Sequence, residues 1–169
     1  MLGKQYYRSQ FPESLFTADE PALFSKRVIE GYDLCSTLKV VICGLCRDVE
    51  KILPSTIARI ERTRSFFSKS NVIIVENDSF DNTAVILNNY ERQTNGVKII
   101  SPTVKDKTKY DNKDVEAGMS FLRMSLMSTL RNVYLDELHE YSDFDYVIMV
   151  DMDLDGGWSY EGLLSCFSF

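Results

Sequence analysis

The residues of this chain that could do chemistry fall in three polar runs, each directly following an apolar one. Asp151-Met152-Asp153-Leu154-Asp155-Gly156-Gly157 follows Tyr146–Val150. Glu76-Asn77-Asp78-Ser79-Phe80-Asp81-Asn82-Thr83 follows Asn71–Val75, and Gly44-Leu45-Cys46-Arg47-Asp48 follows Lys39–Cys43. If the apolar runs are neighbouring strands, the acids gather along one edge of a sheet. Carboxylates that close repel and raise one another's pKa unless a cation holds them. Hard oxygen donors suit Mg²⁺ or Mn²⁺, ions that keep waters and bridge substrate phosphates. The pattern predicts a metal–diphosphate site centred on Asp151 and Asp153. Asp81, by contrast, could as well cap a helix.

Positive groups that could meet a phosphate lie on a helical stripe. Arg123 and Arg131 are eight positions apart, hence about 12 Å along a helix and on nearly one side of it. Either could reach over the sheet edge, or pair with a surface acid. Asn132 could bond a loop backbone near the acidic strand end.

The elements that must position these groups alternate. Lys39–Gly44, Asn71–Val75, Val97–Ile100 and Tyr146–Val150 are short apolar runs that read as strands. Val49, Ile52, Leu53, Ile57 and Ile60 follow the first at helical spacing, with Pro54 in a first turn or dividing two pieces. Asp81 caps a helix through Tyr90 with Ala84, Leu87 and Tyr90 inward, and Gly96 ends it. Residues 101–113 read as a loop. Asp114 then opens a long helix carrying Val115, Met119, Leu122, Leu126, Leu130, Val133 and Tyr134, broken at Ser142-Asp143. The expected fold class is α/β, a mostly parallel Rossmann-like sheet with helices on both faces. Residues 1–37, with a weak stripe of Ala22, Leu23, Val28 and Ile29, read as a lead-in packing on a domain of residues 38–169. In such sheets ligands bind beyond the carboxyl ends of the strands, where the polar runs fall.

With 169 residues, 44% of them hydrophobic and 26% charged, the chain has the composition of one globular domain. A net charge of −6 argues against a nucleic-acid partner. No apolar run is long enough for a membrane span, and with no targeting segment the expected location is cytoplasmic. Four cysteines are too few for a disulfide scaffold.

The runs VVICGLCRDVEKIL, NVIIVENDSFDNT, LRNVYL and YVIMVDMDLD occur in the order found in nucleotide-sugar-dependent glycosyltransferases of the GT-A fold. The segments RMSLMSTLRNVYLDEL and FDYVIMVDMDL more narrowly resemble the capsule-associated mannosyltransferase group. The resemblance covers residues 38 to 160. It implies a nucleoside-diphosphate-sugar donor, a glycan or other hydroxyl acceptor, and Mn²⁺ or Mg²⁺ held by an Asp-x-Asp pair, Asp151 and Asp153. Glu76 and Asn77 would line the base and ribose pocket with Arg47 nearby, Arg131 would stand near the diphosphate, and Asp151 would also approach the ribose. Enzymes of this kind continue well past Asp-x-Asp, so the acceptor half is expected to be short or missing. Trp158 could stack on a sugar; neither it nor Glu161 can be assigned as a base.

Local lookalikes compete. Asp153 and Asp155 resemble the nucleophile motif of haloacid-dehalogenase-type phosphohydrolases. Asp151, Asp153, Asp155 and Gly156 mimic a calcium loop, but a strand precedes them and Gly162 stands where glutamate is required. Cys43 and Cys46 have the spacing of a redox pair, against which small buried thiols are the plainer reading. His139 fits a helix end. A non-catalytic nucleotide-sugar-binding module is the remaining alternative.

Overall fold

The computed structural model describes residues 20–102, 121–154 and 157–168. Its elements in chain order are α1 (Glu20–Cys35), β1 (Lys39–Cys46), α2 (Leu53–Arg64), β2 (Lys69–Glu76) and α3 (Thr83–Gln93). There follow β3 (Val97–Ile100), α4 (Phe121–Glu137), a 3₁₀ turn (Leu138–Tyr141), β4 (Tyr146–Asp151) and α5 (Tyr160–Ser165). The four strands are parallel in the order β3-β2-β1-β4, a Rossmann-like α/β sheet. β1, β2 and β3 step outward in one direction, and β4 returns to the other side of β1. The winding therefore reverses between β1 and β4, and their carboxyl ends flank the crevice of a topological switch point.

The two-residue period of a strand divides the core in two. On one face Val40, Ile42, Val72 and Ile74 pack with Leu53 and Ile60 of α2, Leu87 of α3 and Leu164 of α5. On the other, Val41, Cys43, Ile73 and Val75 meet Leu126, Leu130 and Tyr134 of α4. Each fully buried aliphatic side chain contributes about 1.5–3 kcal/mol, so this doubly covered centre fixes the register of β1 and β2. The second face is covered mainly over β1 and β2, with Ile100 of β3 partly buried beside them. α4 packs on these two strands, and Val147 and Met149 of the outer strand β4 stay exposed among the described residues.

Pro54 occupies the first turn of α2, where its missing N–H costs nothing. α1 is helical as its weak stripe suggests, and Val28 of that stripe packs on the core, but the other three residues of the stripe are exposed. Gly31 and Cys35 face inward while Leu23 and Ile29 are exposed. The reason is steric: a Cβ on Gly31 would stand 1.9 Å from the Leu164 carbonyl oxygen, so only glycine lets α1 cross α5 there. α3 begins at Thr83, and Asn82 takes the cap position expected of Asp81. α3 ends at Gln93; Gly96 adopts φ +76° in the turn beyond it. Asp114, Val115, Met119 and most of the loop expected over 101–113 lie outside the described residues. No helix among the described residues is long and apolar enough to cross a membrane.

Candidate functional site

Asp151 ends β4 in register with Leu45, and Cys46 is in register with Glu76. Asp151 and Glu76 thus stand on either side of β1, two strand spacings or about 10 Å apart. Between the two aspartates, Met152 is 0% exposed and packs over Gly44. A Cβ on Gly44 would come 2.7 Å from the Met152 sulfur, so the absence of a side chain at 44 creates the seat for this methionine. A buried anchor flanked by two exposed carboxylates results. Among the described residues the side chains of Asp151 and Asp153 form no hydrogen bond or ion pair. Two exposed oxygen donors on a pinned backbone fit a hard cation that keeps waters and takes further ligands from a phosphate. No cluster of three or more metal-ligating side chains occurs among the described residues, and Asp155 lies outside them.

Arg131 comes to the same corner. Tyr134, one turn further along α4, is 4% exposed. Burial pushes its phenol above the ordinary tyrosine range, while the Arg131 guanidinium bonded to it pulls the other way. Asp151 acts electrostatically on the same phenol. Arg131 makes no salt bridge with a described acid and is exposed; it is linked to Asp151 through the Tyr134 phenol on which both act. Asn132 is also exposed; the side chain of Arg123 lies outside the described part.

On the other side of β1 the loops after β1 and β2 are laced together. The Asp48 amide donates to Ser79 Oγ at 3.0 Å, and the Phe80 amide donates to Asp48 Oδ1 at 2.7 Å. Val49 N–H donates to Thr83 Oγ1 and Glu50 N–H to Asp81 Oδ2. Glu50 in turn accepts from the backbone and side-chain amides of Asn82. Those two bonds hold the Glu50 carboxyl below its usual range; a bond from the Thr83 side chain, followed by backbone amides, does the same for Asp81. Asp81 is therefore a loop clasp and not a free ligand. Both loops carry an aspartate in the left-handed region, Asp48 at φ 54° and Asp78 at φ 51°, a conformation that persists only where surrounding bonds over-determine it.

Glu76 and Asn77 are nearly buried at the end of β2. Glu76 Oε1 accepts from the Ser79 amide at 2.6 Å, and Asn77 N–H adds a rung to the ladder through the Cys46 carbonyl. Arg47 projects from the end of β1, 3.4 Å from Asp48, with its guanidinium 5.4 Å from the ring centre of Phe80.

Other residues singled out in the sequence have structural duties. Cys43 and Cys46 point to opposite faces of β1, one in each core cluster, about 10 Å apart along the strand by its ~3.3 Å rise. They are too distant to form a disulfide. Burial pushes both thiols up to about 12. Trp158 is half-buried against the α2-side core and donates from its ring N–H to Thr63 Oγ1 at 3.0 Å. Its carbonyl accepts from Arg59. Glu161 lies in the first turn of α5, where its charge favours the helix dipole. His139 is exposed in the 3₁₀ turn. Three residues that matter locally carry no signal of it in the sequence. Met152 is hidden between the acids it supports, Tyr134 has the spacing of a core residue, and Phe80 sits inside a polar loop.

Comparison with known families places the chain among the glycosyltransferases, of mannosyltransferase type. The matching family model is described as Cryptococcal mannosyltransferase 1 and runs from the first residue of β1 to Asp153, residues 39–153; the chain belongs to that family. No curated protein matches it.

Proposed function

We propose that the chain carries the donor site of a glycosyltransferase of the GT-A type. It binds a nucleoside-diphosphate sugar at the switch point, for transfer of that sugar to a hydroxyl acceptor. The family description points to mannose as the sugar. The observation that carries this reading is the Met152 anchor, which seats two exposed carboxylates at the crevice, neither of them paired with a described side chain. Asp151 and Asp153 would hold Mn²⁺ or Mg²⁺, and that ion supplies Lewis-acid stabilisation of the charge developing on the departing diphosphate. Arg131, steadied on Tyr134, faces the same charge from the helix side. Its fixed fork suits phosphate oxygens. Asn77 and Glu76 border the ribose side, and the rigid backbone of the laced loops limits the reorganisation needed when the donor binds.

Calorimetric titration with UDP and with GDP, each with and without Mn²⁺, tests the proposal. Metal-enhanced binding of at least one diphosphate is expected. A folded sample that binds neither would contradict it. Hydrolysis of an aryl phosphate with Mg²⁺, abolished in Asp153→Asn, would favour a phosphohydrolase instead.

A further inference from the structure

Phe80 is the most exposed large apolar side chain among the described residues, at 83%. A single exposed aromatic on a surface ordinarily needs no explanation, but this one is held out by an unusually bound backbone. Its own amide is taken by Asp48. The preceding residue, Ser79, is fixed through its amide by Glu76 and through its hydroxyl by Asp48 N–H. The following residue, Asp81, spends both carboxylate oxygens on the amides of Glu50 and Thr83. These bonds fix the backbone from which the ring projects.

The surroundings of the ring narrow what it meets. It stands at the carboxyl edge of β2, and the guanidinium of Arg47 lies over it within cation–π range. With 83% of the residue still accessible, Arg47 covers only part of the ring. An aromatic face beside a planar cation is the usual platform for a nucleobase, which stacks on both. Distance agrees: the end of β2 lies about 10 Å, two strand spacings, from the end of β4. An extended nucleoside diphosphate crosses that gap with its phosphates at Asp151 and Asp153.

We infer that Phe80, together with Arg47, is the stacking platform for the donor's nucleobase. The inference rests on the proposed donor site and adds the residue that grips the base. Because every base has a π-face, the platform contributes affinity for purine and pyrimidine diphosphates alike, and discrimination between them falls to the groups at the base edge.

The test compares wild type, Phe80→Ala and Phe80→Trp by calorimetry with UDP, GDP and inorganic pyrophosphate, all in the presence of Mn²⁺. The side chain is exposed, so all three proteins should share one far-ultraviolet circular dichroism spectrum. Phe80→Ala is expected to weaken UDP and GDP binding about 5- to 150-fold, the range seen when a stacking aromatic is truncated. Pyrophosphate affinity should not change. Phe80→Trp should keep nucleotide affinity and, measured as a difference from wild type, show indole quenching on binding. Equal nucleotide affinity in wild type and Phe80→Ala would overturn the inference and leave the donor site standing. A loss that extends equally to pyrophosphate would also overturn it, since the ring would then act on the phosphate end. If wild type binds none of the three ligands, the donor site falls and the platform falls with it.

Discussion

The contact between Gly44 and Met152 is the pivot of the candidate site, and it can be disturbed without touching any charged residue. In Gly44→Ala the new methyl would lie 2.7 Å from the Met152 sulfur and 2.8 Å from its Cγ. Ordinary contacts between such atoms are about 3.5–4.0 Å, so the methionine must retreat by roughly 1 Å. It is 0% exposed. Overpacking of this kind costs about 1–3 kcal/mol. Replacing glycine within a strand returns about 0.5–1 kcal/mol of backbone entropy. The net expectation is a loss of up to about 2.5 kcal/mol in urea denaturation, where m is ~1–3 kcal/mol/M for small proteins. Met152→Ala alone should cost more, about 2–5 kcal/mol, by leaving a cavity. The double variant places the methyl introduced at position 44 in that cavity. It should therefore be more stable than the sum of the singles implies, with a coupling of about 1–3 kcal/mol. Metal-dependent diphosphate binding should weaken in Gly44→Ala because Asp151 and Asp153 move with residue 152. Strictly additive stabilities, or unchanged binding in Gly44→Ala, would refute the idea that this contact positions the two carboxylates.

Two further outcomes concern the frame around the site. Asp81 and Glu50 have folded-state pKa values held below their ordinary ones. Unfolded carboxyls titrate near 4, so their contribution is present above about pH 5 and is lost as pH falls through the folded values. Between pH 6 and pH 3 the melting temperature of wild type should fall more steeply than that of Asp81→Asn; parallel curves would show that the clasp does not depend on charge. Thiol titration at neutral pH should find Cys166 reactive and Cys35, Cys43 and Cys46 protected until unfolding, since Cys166 is exposed and burial raises the other three. Rapid reaction of Cys43 in the folded protein would mean that the α4 side of the sheet opens.

What can be read from residue order is largely the sheet. Continuous apolar runs such as Val40–Ile42 and Val72–Val75 announce strands covered on two faces, and the structure buries them in that way. Tyr146–Val150 has the same look, yet only one of its faces is packed by described residues, because burial of an outer strand depends on where a helix happens to lie. The phase of α1 eludes its hydropathy for a similar reason: its inward face is chosen by a backbone crossing at Gly31, which hydropathy does not report. Asp151 and Asp153 are legible as a spaced pair after a strand. The seat under Met152 is not, because it joins residues 44 and 152 across two strands and appears only once they are in register. Phe80 is illegible for the opposite reason. An aromatic among polar neighbours carries no periodicity, and its exposure follows from hydrogen bonds contributed by a different loop.

The central claim is that Asp151 and Asp153 together hold a divalent ion that grips a diphosphate. Electron paramagnetic resonance of Mn²⁺ titrated into the protein, with and without GDP or UDP, reads the claim most directly. One bound Mn²⁺ per chain is expected, tightened by the nucleotide that binds, and lost in both Asp151→Asn and Asp153→Asn while circular dichroism is unchanged. Mn²⁺ bound equally well by wild type and both variants, or no bound Mn²⁺ in folded wild type with either nucleotide present, would contradict it.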